Sequence, residues 1–162
     1  PDDGGPRVSS EIILLEPVTR GLCHALLAAW EEGMHPPIRV THTLRSFDEQ
    51  LHLFAQGRRL DGTIWTVVEP KRVVTKARPG ESPHNWGMAF DICFTGTDPY
   101  LHAHEAAHGT ADPLWALLGE AGTRLGLNWG GPLGVNDKFR WDSPHFEREN
   151  WKAHKVTRGG IA

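Results

Sequence analysis

The stretch SPHNWGMAFDICF, residues 82–94, decides how the rest of the chain is read. Its second half alternates. Met88, Phe90, Ile92 and Phe94 are large and apolar, whereas Ala89, Asp91 and Cys93 are small or charged. A period of two marks a β-strand, whose successive side chains point to opposite faces. The apolar set therefore faces a core, and Asp91 emerges on the other side between two small neighbours. His84 precedes the strand, beyond the turn that Gly87 can make. An imidazole and a carboxylate so placed fit two legs of a zinc site. They equally fit a buried His–Asp hydrogen bond with no metal.

The flanking segments predict what covers the apolar face. From Pro17 to Met34 the residues Val18, Leu22, Leu26, Ala29 and Trp30 recur at helical spacing, with Pro17 in the first turn and Gly33 near the end. PIRVTHT reads as a strand. RSFDEQLHLFAQG is a second helix, opened by a Ser46–Glu49 capping box and closed by Gly57. TIWTVV and RVVTKA read as short strands, and residues 95–111 as a loop-like insertion. Asp112 and Pro113 then open a third helix whose buried face is Leu114, Leu117, Leu118, Ala121 and Leu125, ended by Gly126. HFE, residues 145–147, is a short final strand. The expected fold is α+β, a small antiparallel sheet with helices packed on it. Residues 1–10 read as a flexible leader and 11–162 as one domain.

The 162 residues suit one domain with a real core. A net charge of −3 argues against nucleic acid as a partner. No apolar run approaches the roughly 18 residues of a membrane span. No signal peptide is visible, and the chain starts at Pro1 rather than Met, so export by a trimmed precursor stays open. The two cysteines, Cys23 and Cys93, are expected as free buried thiols.

Three constellations compete for a metal. His104-Glu105-Ala106-Ala107-His108 spells H-E-x-x-H, which in zinc proteases sits on a long, well-supported helix. Here Gly109 follows at once and no apolar face would bury such a helix, so an exposed histidine-rich loop is expected. The second constellation is His84 with Asp91. The third is WDSPHFE, with Asp142 and His145. If His145 joins His84 and Asp91, three protein ligands leave a fourth position for water, the mark of a catalytic site. Asp142 would then take the proton of that water, or else be an exposed turn residue or loop cap. Trp86, Trp129 and Trp141 cluster near these motifs, as core packing or as groove lining.

Ser82-x-His84-x-x-Gly87-x-Ala89-x-Asp91 together with Asp142-x-x-His145 resembles the zinc peptidases that cleave bacterial peptidoglycan peptides. These form the D-alanyl-D-alanine carboxypeptidase and L-alanyl-D-glutamate endopeptidase family, related in fold to the hedgehog signalling domain. LRSFDEQLHLFAQGR (44–58), RPGESPHNWGMAFDI (78–92) and LGLNWGG (125–131) are similar to segments of its endolysin-type endopeptidase branch, in the same order. The resemblance spans roughly residues 15–147. It implies that His84, Asp91 and His145 bind one zinc ion and that Asp142 is general base, then acid. It implies that Arg45 holds a substrate carboxylate or the developing oxyanion, with Ser82 and Trp141 supporting substrate or site. The implied substrate is the peptidoglycan stem peptide, cut between L-Ala and D-Glu, or at its D-Ala-D-Ala end in the carboxypeptidase alternative. A non-catalytic, metal-bearing wall-binding domain is the remaining alternative. The implied protein is a monomer acting at the bacterial wall. It is released from a host cytoplasm with a holin if a phage lysin, or secreted if trimmed. The segment DPYLHAHEAAHGTADP, residues 98–113, has no clear counterpart in the family.

Overall fold

A computed structural model describes residues 9–132 and 142–158. Four helices and six strands occur in the order α1 (Pro17–Glu32), β1 (Ile38–His42), α2 (Phe47–Ala55), β2 (Arg58–Asp61), β3 (Ile64–Val67), β4 (Ala89–Phe94), α3 (His102–His108), α4 (Pro113–Arg124), β5 (Leu127–Trp129) and β6 (His145–Arg148). The main sheet is antiparallel with strand order β1-β4-β6-β5, and β2-β3 forms a separate hairpin. This is the α+β architecture expected from the sequence.

The alternation of residues 88–94 works as read. Phe90, Ile92 and Phe94 join Phe146 of β6 and Trp129 of β5 in one buried cluster with Leu26 and Trp30 of α1 and Trp115 and Leu118 of α4. Burial of each such side chain contributes about 1.5–3 kcal/mol. Phe90 and Phe146 are register partners and stack with centroids 5.8 Å apart. Both cysteines are free and buried, as expected, and burial pushes the Cys23 thiol up to about 12.

Helix ends follow their local chemistry. Glu16 accepts from Thr19 N at the start of α1, the Ser46–Glu49 capping box is complete, and Asp112 accepts from Leu114 N. The buried stripes sit differently from the expectation. In α1 the buried residues are Thr19, Cys23, Leu26 and Trp30, while Val18 is exposed. In α4 they are Trp115, Leu118, Gly119 and Gly122, while Leu117 is 47% exposed. α4 is rotated because its glycines admit the sheet aromatics: a Cβ on Gly119 would lie 2.2 Å from the Trp129 ring.

Other local expectations are corrected. Residues 72–77 form no strand: Gln50 Nε2 donates to Ala77 O and Arg58 NH2 to Thr75 O, so side chains satisfy carbonyls that a partner strand would otherwise take. β2, paired with β3, and β5, paired with β6, lie where no strand was expected. Within the insertion 95–111, α3 forms because the Asp98 carboxylate accepts from His102 N and Ala103 N, and alanines fill its middle. Ser9, assigned to the leader, accepts from Thr43 N at 2.7 Å and from Thr43 Oγ1 at 3.0 Å.

Candidate metal centre and active site

Strand register assembles the site. Asp91 on β4 lies opposite His145 on β6 and, on its other side, opposite His42 on β1, where the register slips after Val40. Directly opposed residues share a face with Cβ atoms about 4.5–5.5 Å apart. The row His42–Asp91–His145 therefore crosses three strands on the face away from the core. Asp91 Oδ1 is 3.0 Å from His145 Nδ1 and 3.3 Å from His84 Nε2, and the two nitrogens are 3.3 Å apart. Among the described residues, His84, Asp91 and His145 form the one group of three such side chains whose ligand atoms all lie within 4.8 Å of one another.

His84 arrives from the 3-10 turn Pro83–Trp86, which Gly87 ends in the left-handed conformation, φ +64°. Its Nδ1–H donates to Thr43 O at 2.8 Å. A carbonyl only accepts, so the proton sits on Nδ1 and the Nε2 lone pair faces Asp91. At His145, Nε2 lies 3.2 Å from Glu147 Oε2, and that carboxylate is itself buried opposite Ala89. Donation from Nε2–H to Glu147 leaves the Nδ1 lone pair facing His84. Two lone pairs and a carboxylate oxygen converging in a buried spot call for a cation between them. Two imidazoles and one carboxylate suit a divalent ion such as zinc, with a coordination position left over. In the metal-free protein a proton takes this place. Burial opposes the charge on His145, but hydrogen bonds to Asp91 and Glu147 outweigh it and push its pKa up to about 10. Burial likewise opposes ionisation of Asp91, yet the electrostatic pull of the neighbouring His84 ring and the hydrogen bond from His145 hold its carboxyl well below the usual range.

Asp142 begins the turn that ends at His145, whose N donates to Asp142 O at 3.0 Å. The turn is clipped to Gly130: Asp142 N donates to Gly130 O at 3.0 Å, and Gly130 N to His145 O at 2.9 Å. The approach requires glycine, since a Cβ on residue 130 would sit 2.5 Å from Asp142 O. Burial, and then the charge of Asp91, raise the Asp142 carboxyl above its usual range against the pull of His145, His84 and Arg45. Those neighbours place Asp142 in the field of the same site.

Arg45 follows β1, and its N donates to His84 O at 3.0 Å. Its NH1 donates to Gln50 Oε1 at 3.0 Å, while its buried Nε has no hydrogen-bond partner among the described residues. Ser82 is buried, and its carbonyl accepts from Asn85 N at 3.1 Å. Trp141 lies outside the described residues. Of the other tryptophans, Trp129 is in the core and donates to Ser143 O at 2.7 Å, and Trp86 packs edge-on against Phe47.

Several supporting residues escaped the sequence reading. Glu147 carried a signal, being two residues from His145 on a strand and so on the same face. Thr43, Gln50 and Asn85 carried none. Asn85 Nδ2 donates to Arg45 O and Ser46 O while its Oδ1 accepts from Gly80 N, lacing three loops together. His42, with Nδ1 3.4 Å from Asp91 Oδ2, was read only as part of a strand.

The H-E-x-x-H segment is elsewhere. α3 has seven residues, none buried, and Gly109 ends it. The rings of His104 and His108 stack 4.3 Å apart, and His108 Nδ1 bonds back to His104 O.

The chain resembles known proteins in both sequence and fold. A family model described as D-alanyl-D-alanine carboxypeptidase matches residues 75–148. The chain is 33% identical over 138 residues to the peptidoglycan L-alanyl-D-glutamate endopeptidase CwlK of Bacillus subtilis, covering 82% of this chain and 72% of that protein. Among solved structures, the D,D-pentapeptidase VanY in complex with Zn(II) matches with a TM-score of 0.56 at 16% identity, covering 100% of this chain and 89% of that one. The L-Ala D-Glu endopeptidase ChiX of Serratia marcescens matches with a TM-score of 0.54 at 15% identity, covering 95% and 98%. The LD-carboxypeptidase LdcB matches with a TM-score of 0.55 at 20% identity, and the chain spans only 64% of its length.

Proposed function

The chain belongs to the D-alanyl-D-alanine carboxypeptidase and L-alanyl-D-glutamate endopeptidase family, and on that premise we propose that it is a zinc peptidase cutting peptidoglycan stem peptides between L-Ala and D-Glu. The observation that carries this reading is the convergence of His84 Nε2, Asp91 Oδ1 and His145 Nδ1, with each imidazole's other nitrogen already anchored. These three would hold the metal. Zinc bound there supplies Lewis acidity and a nucleophilic water at neutral pH.

The chain's own groups do the rest. Asp142 takes the proton of the attacking water and returns it to the leaving amine. Its raised proton affinity suits both transfers. Arg45, fixed through Gln50, offers its unpartnered Nε–H to the developing oxyanion or to a substrate carboxylate. Loss of one such contact costs about 3 kcal/mol in the barrier. Ser82 supports the turn that carries His84, and Trp141 supports substrate. Residues 11–162 are taken as one catalytic domain acting at the bacterial wall. No described helix is long and apolar enough to cross a membrane.

Mass spectrometry of purified wall digested with and without a chelator tests the reading. New D-Glu amino termini, lost on chelation and restored by zinc, are expected. Release of D-Ala instead would establish the carboxypeptidase reading, which the family model over residues 75–148 favours. Turnover that survives metal removal would overturn both. Lysis of cells by added protein tests an endolysin-like role.

A further inference from the structure

A cleft of about 360 Å³ lies between α3 and the turn that carries Asp142 and His145. One wall is Ser143 and Pro144, the two residues between the proposed base and the proposed metal ligand. That wall is fixed, because Ser143 O accepts from Trp129 Nε1 and Pro144 O from Ile92 N. The opposite wall belongs to the segment of residues 98–115 that carries α3 and leads into α4. It is fixed too: Phe94 N donates to Pro99 O, Trp115 Nε1 to Tyr100 O, and Asp98 caps α3. Leu101, held at φ +57°, packs against the core, so the connection into α3 is strained yet anchored.

The lining has a distinct chemistry. Tyr100, Leu101, Trp115 and Pro132 make it apolar and aromatic, while Glu105 and Asp112 stand in it as carboxylates, the first 3.9 Å from His102, which also lines the cleft, and the second 3.7 Å from His104. No Lys or Arg is among its described lining residues. Such a pocket suits a group with an aliphatic stem and a cationic tip.

We propose that this cleft is a specificity subsite for a substrate side chain ending in a primary ammonium, as in a diamino acid residue near the bond that is cut. The proposal rests on the stem-peptide reading above and narrows it: α3 selects stem peptides by their diamino acid. The aliphatic part of that side chain lies along the apolar wall, and Glu105 and Asp112 receive the ammonium.

The test uses two synthetic peptides of sequence L-Ala-γ-D-Glu-L-Lys-D-Ala, one with the lysine amine free and one with it acetylated. Binding to the zinc-loaded protein is measured by calorimetry and cleavage by chromatography. The double variant Glu105→Gln, Asp112→Asn removes both charges, while the amide oxygen it leaves at position 112 still caps α4. The wild type should favour the free amine by about tenfold in Kd and KM at similar kcat, and the double variant should lose that preference. Cleavage of both peptides with equal KM overturns the subsite and leaves the peptidase reading intact. Tenfold discrimination in binding without cleavage supports the subsite and counts against the endopeptidase reading. Equal loss toward both peptides in a variant of unchanged Tm also overturns the subsite, as does failure of either peptide to bind.

Discussion

Two histidine clusters sit in this molecule, and they differ in almost every physical respect. His104 and His108 match a contiguous metalloprotease pattern, on a seven-residue helix with no buried residue. His84 and His145 are 61 residues apart, and both are buried, with anchored ring nitrogens. A metal site needs deprotonated ligands held at fixed positions and turned the right way. The surface pair has the spacing without the support, since His108 bonds back to its own helix backbone. The buried pair has support from Thr43, Glu147 and the sheet register. Spacing along one helix turn arises easily by chance, whereas fixed orientation requires a folded surround.

The largest effect that can break this contrast is metal loss. His84→Ala should drop zinc stoichiometry from one to near zero, read by atomic absorption on dialysed protein, and abolish hydrolysis. Retention of zinc by this variant would move the metal away from the sheet. Asp142→Ala should keep the zinc and lower kcat about 10²–10⁴-fold. Normal turnover would remove Asp142 from the chemistry. Glu147→Gln leaves a hydrogen-bond acceptor beside His145 but removes its charge, and chelator competition should show zinc held about 10–100-fold more weakly.

The pH dependence of stability sharpens the comparison. His145 in the metal-free protein has its pKa raised from 6.5 to about 10. The stabilisation it gives is complete below pH 6.5 and disappears as pH rises through about 10. The Tm of the metal-free protein should therefore fall across that window, and zinc should flatten the slope. In acid, the contribution of Asp91 is lost as pH falls through its depressed pKa. A flat alkaline profile without metal would mean that His145 is not held by Asp91 and Glu147. The smallest effect belongs to the surface pair. His104→Ala with His108→Ala should leave zinc content unchanged and kcat/KM within about twofold, as surface substitutions do.

Legibility along the chain followed how local the deciding interactions are. The β4 alternation, the Ser46–Glu49 box and the Asp112 N-cap involve neighbours a few residues apart, and each formed as read. Residues 72–77 misled because their valines promised a strand that two side chains, from Gln50 and Arg58, pre-empted. The buried face of α4 misled because Leu117 counted as core by type, while Gly119 and Gly122 let the sheet come close on another side. At the site, the residue types and their two motifs were legible. The supports were not, because Thr43 acts through its carbonyl and Gly130 by having no side chain, and neither leaves a chemical mark in a sequence.

The sequence by itself determined a β-strand that carries Asp91 away from an apolar face, with a histidine before it and an Asp-x-x-His segment far downstream. Tertiary structure alone decided that these meet. The pairing of β4 with β6 sets Asp91 opposite His145, and a register slip of one residue would turn His145 to the other face of the sheet. It also decided which nitrogen of each imidazole is free to bind, since the partners of the other nitrogen are a carbonyl 41 residues away and a carboxylate buried only by the folded sheet.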